Sequence, residues 1–330
     1  MLPAHSNMMI ILAVILPLTA PVNAATLYVS TTGDDTNPGT LALPFRSISK
    51  AAQVAAPGAT ITVLGGVYEE VVQIPVAGTP ELPITFEPAP GQDVIIDGSA
   101  TPPDTSLVQI NASYIRFKGF TVRHSTRTGI AAWGTHHVQI TDNKVFGSRR
   151  GGIWAGHTDA GQSYENLIAR NEVWDNCLEN KARSWESGWP QAIGLHASDR
   201  SVVQGNRSYR NYCEGIGIQS TQGVDIRDNT VFDSYSVNIY LDNAPRTVVQ
   251  DNKVYHTYNR DFYRYGRPAR GIQIANEYTE IELPSKNITV VRNTLAGVGK
   301  VTYGKYQRAS GLVDSVIREN TILKKPESLW

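Results

Sequence analysis

"GVDIRDNTVFDSYSVNIYLDNAPRTVVQDNKVYHT" (Gly223–Thr257) carries the phrase DNTVF from Asp228 and DNKVY from Asp251, 23 residues apart. The frame recurs as ITDNKVF with Asn143, IARNEVW with Asn171 and VQGNRSY with Asn206. Asn229 and Asn252 sit in the quoted stretch, and VVRNTLA with Asn293 and IRENTIL with Asn320 come after it. IRFKGFTV (Ile115–Val122) fits the frame without the asparagine. Successive intervals are 28, 35, 23, 23, 41 and 27 residues, a base period near 23 lengthened by insertions.

Each period holds short alternating apolar stretches, such as VDIRD, TVF and NIYLDN, separated by Asn, Asp, Gly and Ser. A period of this length without a helical pattern predicts a solenoid of strands. Three short strands per turn, stacked in register, make an all-β parallel β-helix, and the crossover rule makes it right-handed. The asparagine has a structural task in such a coil. A tight bend between strands favours a residue that tolerates a left-handed backbone, which asparagine does. Stacking then places successive amides about 4.8 Å apart, close enough to bond up the stack. The seven asparagines are read as a ladder, with no catalytic role.

Composition narrows the partners. Lysine plus arginine equals aspartate plus glutamate, 30 of each, so no overall charge draws the chain to nucleic acid. The run MMIILAVILPLTA (Met8–Ala20) is short for a membrane span and is followed by VNAA. Residues 1–24 are therefore expected to be a signal peptide. A secreted monomer, extracellular or periplasmic and without a membrane anchor, is expected to remain. Residues 25–330 are expected to form one β-helix domain, of which 25–70 are the N-terminal cap and first coil. FRSISKAAQVAAPG (Phe45–Gly58) reads as a short amphipathic helix that covers the first coil, and LKKPESLW blunts the last. Cys177 and Cys213 fall on neighbouring coils, which leaves both a disulfide and two buried thiols open.

The stretch LYVSTTGDDTNPGTLALPFRSISKAAQVAAPGATITVLGGVYEE (Leu27–Glu70) resembles the cap and first coil of exported β-helix proteins of the pectin-lyase-like superfamily. The resemblance implies a right-handed parallel β-helix. For activity it implies only a class that includes pectate and alginate lyases, mannuronan epimerases, glycoside hydrolases and tailspikes. Two family signatures are missing. No coil carries the dense aspartate cluster that holds calcium in family-nine pectate lyases, and the Asp-Pro-His-Asp of the epimerases is absent. GDDTNPG (Gly33–Gly39) is read as a turn of the cap rather than a calcium loop.

Aligning one strand from each coil leaves two outward columns. The first reads Ala131, Trp154, Gly194, Gly217, Tyr240 and Gln273; the second reads Trp133, Gly156, His196, Gln219, Asp242 and Ala275. Gly194 and Gly217 suggest a bare floor between Trp154 and Tyr240, beside a polar row of His196, Gln219 and Asp242. Rings beside polar groups suit a sugar, whose apolar face stacks while its hydroxyls hydrogen-bond. The plain reading of such residues is a solvated solenoid wall. Two insertions adjoin the face, one bringing Trp185, Glu186 and Trp189, the other Tyr263, Arg264 and Arg267.

Three functions fit. The leading one is a polysaccharide lyase acting on a uronate polymer by β-elimination, with His196 or Tyr240 as base and an arginine of the second insertion neutralising the carboxylate. Asp242 with Glu214 would supply calcium ligands, few for that ion. A glycoside hydrolase needs a carboxylate pair. Glu214 and Asp242 lie about 16 Å apart by strand rise, which turns attention to Glu186 with Asp242. The third is a binding or structural protein of the cell envelope that grips polysaccharide without reaction.

Overall fold

The structure, a computed structural model, describes residues 25–183, 189–281, 283–304 and 312–326. The expected signal peptide lies outside these residues. Among them no helix is long and apolar enough to cross a membrane.

The coil at Val202–Gln219 shows the unit. Val202–Gln204, Arg207–Asn211 and Glu214–Gln219 run in three different sheets, each joined to the next by a turn of a few residues. Stacked coils build sheets of eleven, ten and nine strands, all parallel, in a right-handed β-helix. Alternation sends every second side chain of the nine-stranded sheet inward. Ile130, Ile153, Ile193, Ile216, Ile239 and Ile272 succeed one another in register and are wholly buried. Stacked branched chains of this kind form a continuous core that no single coil could bury alone.

The asparagine ladder is present. Each of Asn143, Asn171, Asn206, Asn229, Asn252 and Asn293 donates Nδ2–H to the Oδ1 of the next, ending on Asn320, at 2.9–3.0 Å. The same oxygens accept the backbone N–H of the preceding asparagine, as in Asn206 N to Asn229 Oδ1 at 2.9 Å. The left-handed bend is one residue earlier than the sequence suggested. Asp142, Arg170, Asp228, Asp251, Arg292 and Glu319 carry φ values of 55–60°, whereas the asparagines do not. The asparagine is thus chosen for its buried amide, and its neighbour takes the strain. On the ten-stranded sheet Phe146, Trp174, Tyr209, Phe232 and Tyr255 stack outward at 4.5–6.0 Å between ring centres. Their faces are spent on one another.

The N-terminal helix is shorter than Phe45–Gly58. It spans Ile48–Val54 and buries Ile48, Ala51 and Ala52 on the first coils. Phe45 instead bridges to Val29. Ser47 caps the helix through Lys50 N–H, and the Glu70 carboxylate accepts from Ile48 N–H at 2.7 Å. Asp35 accepts from the N–H groups of Arg46 and Ser47, and Asp34 from Thr36. Both carboxylates of the GDD turn therefore serve the cap.

Cys177 and Cys213 form a disulfide that links neighbouring coils across 36 residues. It ties the start of the first insertion to the residue before Glu214. Replacing both cysteines with serine is expected to cost about 2–4 kcal/mol, read as a lower guanidinium midpoint. An unchanged midpoint would show that the insertion needs no tether.

Candidate functional site

The register on the outer face of the nine-stranded sheet is the one the columns require. Trp154 pairs with Gly194, Gly194 with Gly217, Gly217 with Tyr240, and Tyr240 with Gln273. Beside them His196 pairs with Gln219 and Gln219 with Asp242.

The floor, however, is not bare. A Cβ on Gly217 would fall 2.2 Å from Cγ of Gln191 and 2.6 Å from Oε2 of Glu214. A Cβ on Gly194 would meet Gln191 Oε1 at 2.9 Å and the Trp154 ring at 3.0 Å. The two glycines make room for polar side chains that lie down over them. This alters the geometry of Glu214. Its Cα is one coil and five positions from Asp242, but its carboxyl group reaches along the strand onto Gly217. From Gly217 to Asp242 is about 8 Å by strand spacing and rise, half the separation expected from backbone positions.

The electrostatics of this cluster are unusual for a solvent-facing wall. Burial, opposed by the Gln191 amide and reinforced by the charges of Asp242 and Glu277, raises Glu214 well above the ordinary carboxylate range. Oε2 of Glu214 is buried without a hydrogen-bond partner among the described residues. Burial and then the Glu277 charge raise Asp242 to about 7, against hydrogen bonds from Glu277 N–H and Gln219. His196, half-buried, is lowered by desolvation, so its neutral form is favoured. Gln219 bonds to both His196 and Asp242 and couples the second column.

Tyr240 is not suited to the role of base. It donates its phenolic proton to Glu277 Oε1, and burial together with Glu277, Asp242 and Glu214 pushes its ionisation far upward. Three carboxylates oppose the phenolate. Glu277 itself was missed from the sequence, because it lies on the loop after a strand and outside both columns. Its N–H donates to Asp242 Oδ1 at 3.0 Å and to Asn243 Oδ1 at 2.8 Å, which brings it back over the face.

A cleft of about 580 Å³ adjoins this cluster. Trp133, Trp154 and Trp189 line it, with Arg127, Gln191 and Gln219. Gln191 and Gln219 are thus shared by cleft and cluster, whereas Glu214 and Asp242 are not among the residues that line the cleft. Trp133 and Trp154 stack at 5.2 Å. Trp189 has the Arg264 guanidinium 4.3 Å from its ring centre and the Tyr235 ring nearly parallel at 6.4 Å. It walls the cleft.

The second insertion contributes less than expected. Arg264 donates to Ser236 Oγ at 3.1 Å and bears on Glu214. Tyr263 turns its ring edge toward buried His256, and its carbonyl accepts from Arg183. Arg267 pairs with Arg264 in a two-stranded ribbon and is exposed away from the cleft lining. Phe262, Tyr263 and Arg264 are packed against the rest of the chain, as in the Phe262–Tyr212 contact, while Tyr265 and Arg260 are exposed. Trp185 and Glu186 lie outside the described residues.

Among the described residues no group of three His, Cys, Asp or Glu side chains is arranged to hold a metal. Asp242 is engaged by Glu277 N–H and Gln219, and Glu214 favours its protonated form.

Comparison with known proteins agrees with this architecture. A family model described as "Pel9A-like, right handed beta helix region" matches residues 27–244, and one described as "Right handed beta helix region" matches residues 179–325. The chain is 33% identical over 133 residues to the uncharacterized protein YwoF of Bacillus subtilis (strain 168), covering 37% of this chain and 28% of that protein. It is 26% identical over 212 residues to pectate lyase PEL9 of Emericella nidulans, covering 59% and 50%. The chain thus spans between about a quarter and a half of the length of these relatives. Among solved structures, an alginate lyase from Paenibacillus sp. str. FPU-7 superposes with a TM-score of 0.67 at 15% identity, over 91% of this chain and 98% of that one. Pectate lyase Pel9A gives a TM-score of 0.60 at 15% identity, over 90% and 79%. Likeness at such identity shows the fold. With the model match covering most of the chain, the protein belongs to the Pel9A-like family of right-handed parallel β-helices.

Proposed function

We propose that this protein is an exported carbohydrate-active enzyme that cleaves a glycosidic bond with Glu214 and Asp242. The observation that carries the reading is a pair of buried carboxyl groups with raised pKa beside a tryptophan-lined cleft, on a sheet face whose packing requires neither. Glu214, held protonated, donates its proton to the leaving oxygen as the glycosidic C–O bond breaks. Asp242, ionised above about pH 7, takes the proton of a water whose oxygen bonds to the anomeric carbon. The Glu214 carboxyl lies against Gly217, whose backbone is about 8 Å from that of Asp242, a spacing that leaves room for a water between the two groups. Gln219 and the Glu277 N–H hold Asp242 in place. The disulfide suits an oxidising compartment, which supports export.

Lyase chemistry is the second reading, and neutral His196 favours it, since an unprotonated imidazole can accept a proton from sugar carbon. The lyases among relatives and structural neighbours point the same way. Against it stand the carboxylates, which repel a uronate, and Arg264, whose charge is already directed at Glu214 and Trp189. The test is a panel of polygalacturonate, alginate, xylan, arabinan and galactan. New reducing ends without ultraviolet absorbance are expected. Absorbance of unsaturated uronate would transfer the assignment to the lyase, and saturable binding without turnover would leave only a glycan-binding module.

A further inference from the structure

The non-glycine residues of the outer columns are most deeply covered on the strands Val237–Asp242 and Arg270–Ala275, and half-buried again at Thr302 on the next strand. In the first column Gln73 is exposed and Gln109, Ala131 and Trp154 are half-buried. Beyond the two glycines Tyr240 is 9% exposed and Gln273 2%. In the second column Trp133 is 46% exposed, His196 and Gln219 are half-buried, and Asp242 is 2% exposed. The cause lies in the segments that leave the last strands of the face. The strands Val237–Asp242 and Arg270–Ala275 are the ones flanked by the second insertion and by the loop after Ala275.

The loop after Ala275 folds back over the sheet. Within the strand Arg270–Ala275, Arg270 Nη1 donates to Gln273 Oε1 at 2.7 Å. Glu277 bonds Tyr240 and Asp242 together across the two columns. The groove is closed one coil beyond Gln219, whereas among the described residues nothing comparable covers Gln73 or Trp133.

We infer that the cleft is blind at this end, and that the protein therefore takes the terminus of a glycan chain and releases a short saccharide from it. This rests on the hydrolytic reading of Glu214 and Asp242. A polymer cut in its interior must leave the site on both sides, and here the way past Tyr240 and Gln273 is filled. A chain that enters from the Gln109 coil runs along four coil spacings, about 19 Å, to Gln219, and its terminal sugar abuts the closure that Glu277 makes on Tyr240 and Asp242. The reacting bond then lies close to the end of the chain, with the longer part of the polymer extending over Trp154 and Trp133.

The test tracks products over time on whichever polymer of the panel the purified protein turns over. A single mono- or disaccharide is expected from the earliest sample, with viscosity falling only in proportion to the mass released. At equal mass of polymer, halving the chain length is expected to double the initial rate, because the rate scales with the number of ends. A ladder of oligosaccharides with a steep early loss of viscosity would overturn the blind end while leaving glycosidic cleavage intact. Unsaturated products of one small size would overturn hydrolysis and uphold the blind end. No turnover on any polymer would overturn both.

Discussion

Glu214→Gln is expected to lower turnover by a factor of about 10² to 10⁴, the usual contribution of a positioned general acid. The substitution keeps the shape that lies over Gly217 and removes only the transferable proton. The pH profile separates this from structural damage. In the wild type the rate is expected to rise as Asp242 ionises near pH 7 and to fall as Glu214 loses its proton. In the variant the acidic limb persists and the alkaline limb disappears. Stability should move in the opposite direction. The folded protein disfavours the charged form of Glu214, so this site's full contribution is present below the ordinary carboxylate pKa. It is lost as pH rises through the raised value. Glutamine carries no charge to disfavour, so the melting temperature of the variant should match the wild type in acid and exceed it in alkali. A variant with full activity, or one that melts early at every pH, would remove Glu214 from the mechanism.

The largest effect on stability is expected from the centre of the asparagine ladder. Asn229 Oδ1 accepts from both the backbone N–H and the Nδ2 of Asn206, and its own Nδ2 donates to Val203 O and Asn252 Oδ1. Asn229→Ala strands two buried donors on Asn206 and one carbonyl inside a packed coil. At about 1–3 kcal/mol for each unsatisfied group, the expected loss for three groups is roughly 3–9 kcal/mol. Asn320 supports Asn293 in the same way but sits at the end of the stack and is half-buried. Water can replace it, and Asn320→Ala should cost about a third as much or less. Parallel denaturation of the two variants checks this, and equal losses would show that burial does not set the strength of the rungs.

Much of the fold was legible because a solenoid repeats its evidence. The period of the asparagine phrase fixed which residues stack, and the columns through Trp154 and Asp242 came from counting. What escaped was whatever depends on side chains bending away from their backbone position. Glu214 looked remote from Asp242 because strand rise measures Cα atoms, while its carboxyl group travels along the groove to Gly217. Gln191 stands before the segment on which the columns were aligned, yet it lies across both glycines. Glu277 enters through a loop that folds back, and no periodicity marks it. The second insertion is divided, with Tyr265 and Arg267 exposed and others packed. Tyrosine and arginine suggest binding, but Arg264 and Phe262 use the same chemistry to fasten the insertion to its surroundings. The left-handed bend fell on Asp228 rather than Asn229 because the asparagine must keep its amide inside, in line with the rungs above and below.

The ladder also has a sense of direction. Every link hands a proton donor from an earlier coil to an acceptor on a later one, so the amide dipoles add instead of cancelling and each polarises the next. At the head, Asn143 Oδ1 terminates on Phe120 N–H; at the foot, Asn320 Nδ2 terminates on the carbonyls of Val290 and Arg318. The two ends of the ladder are therefore electrically unlike: a rung added beyond Asn320 would have to bring an acceptor, whereas one in the place of Phe120 would have to bring a donor.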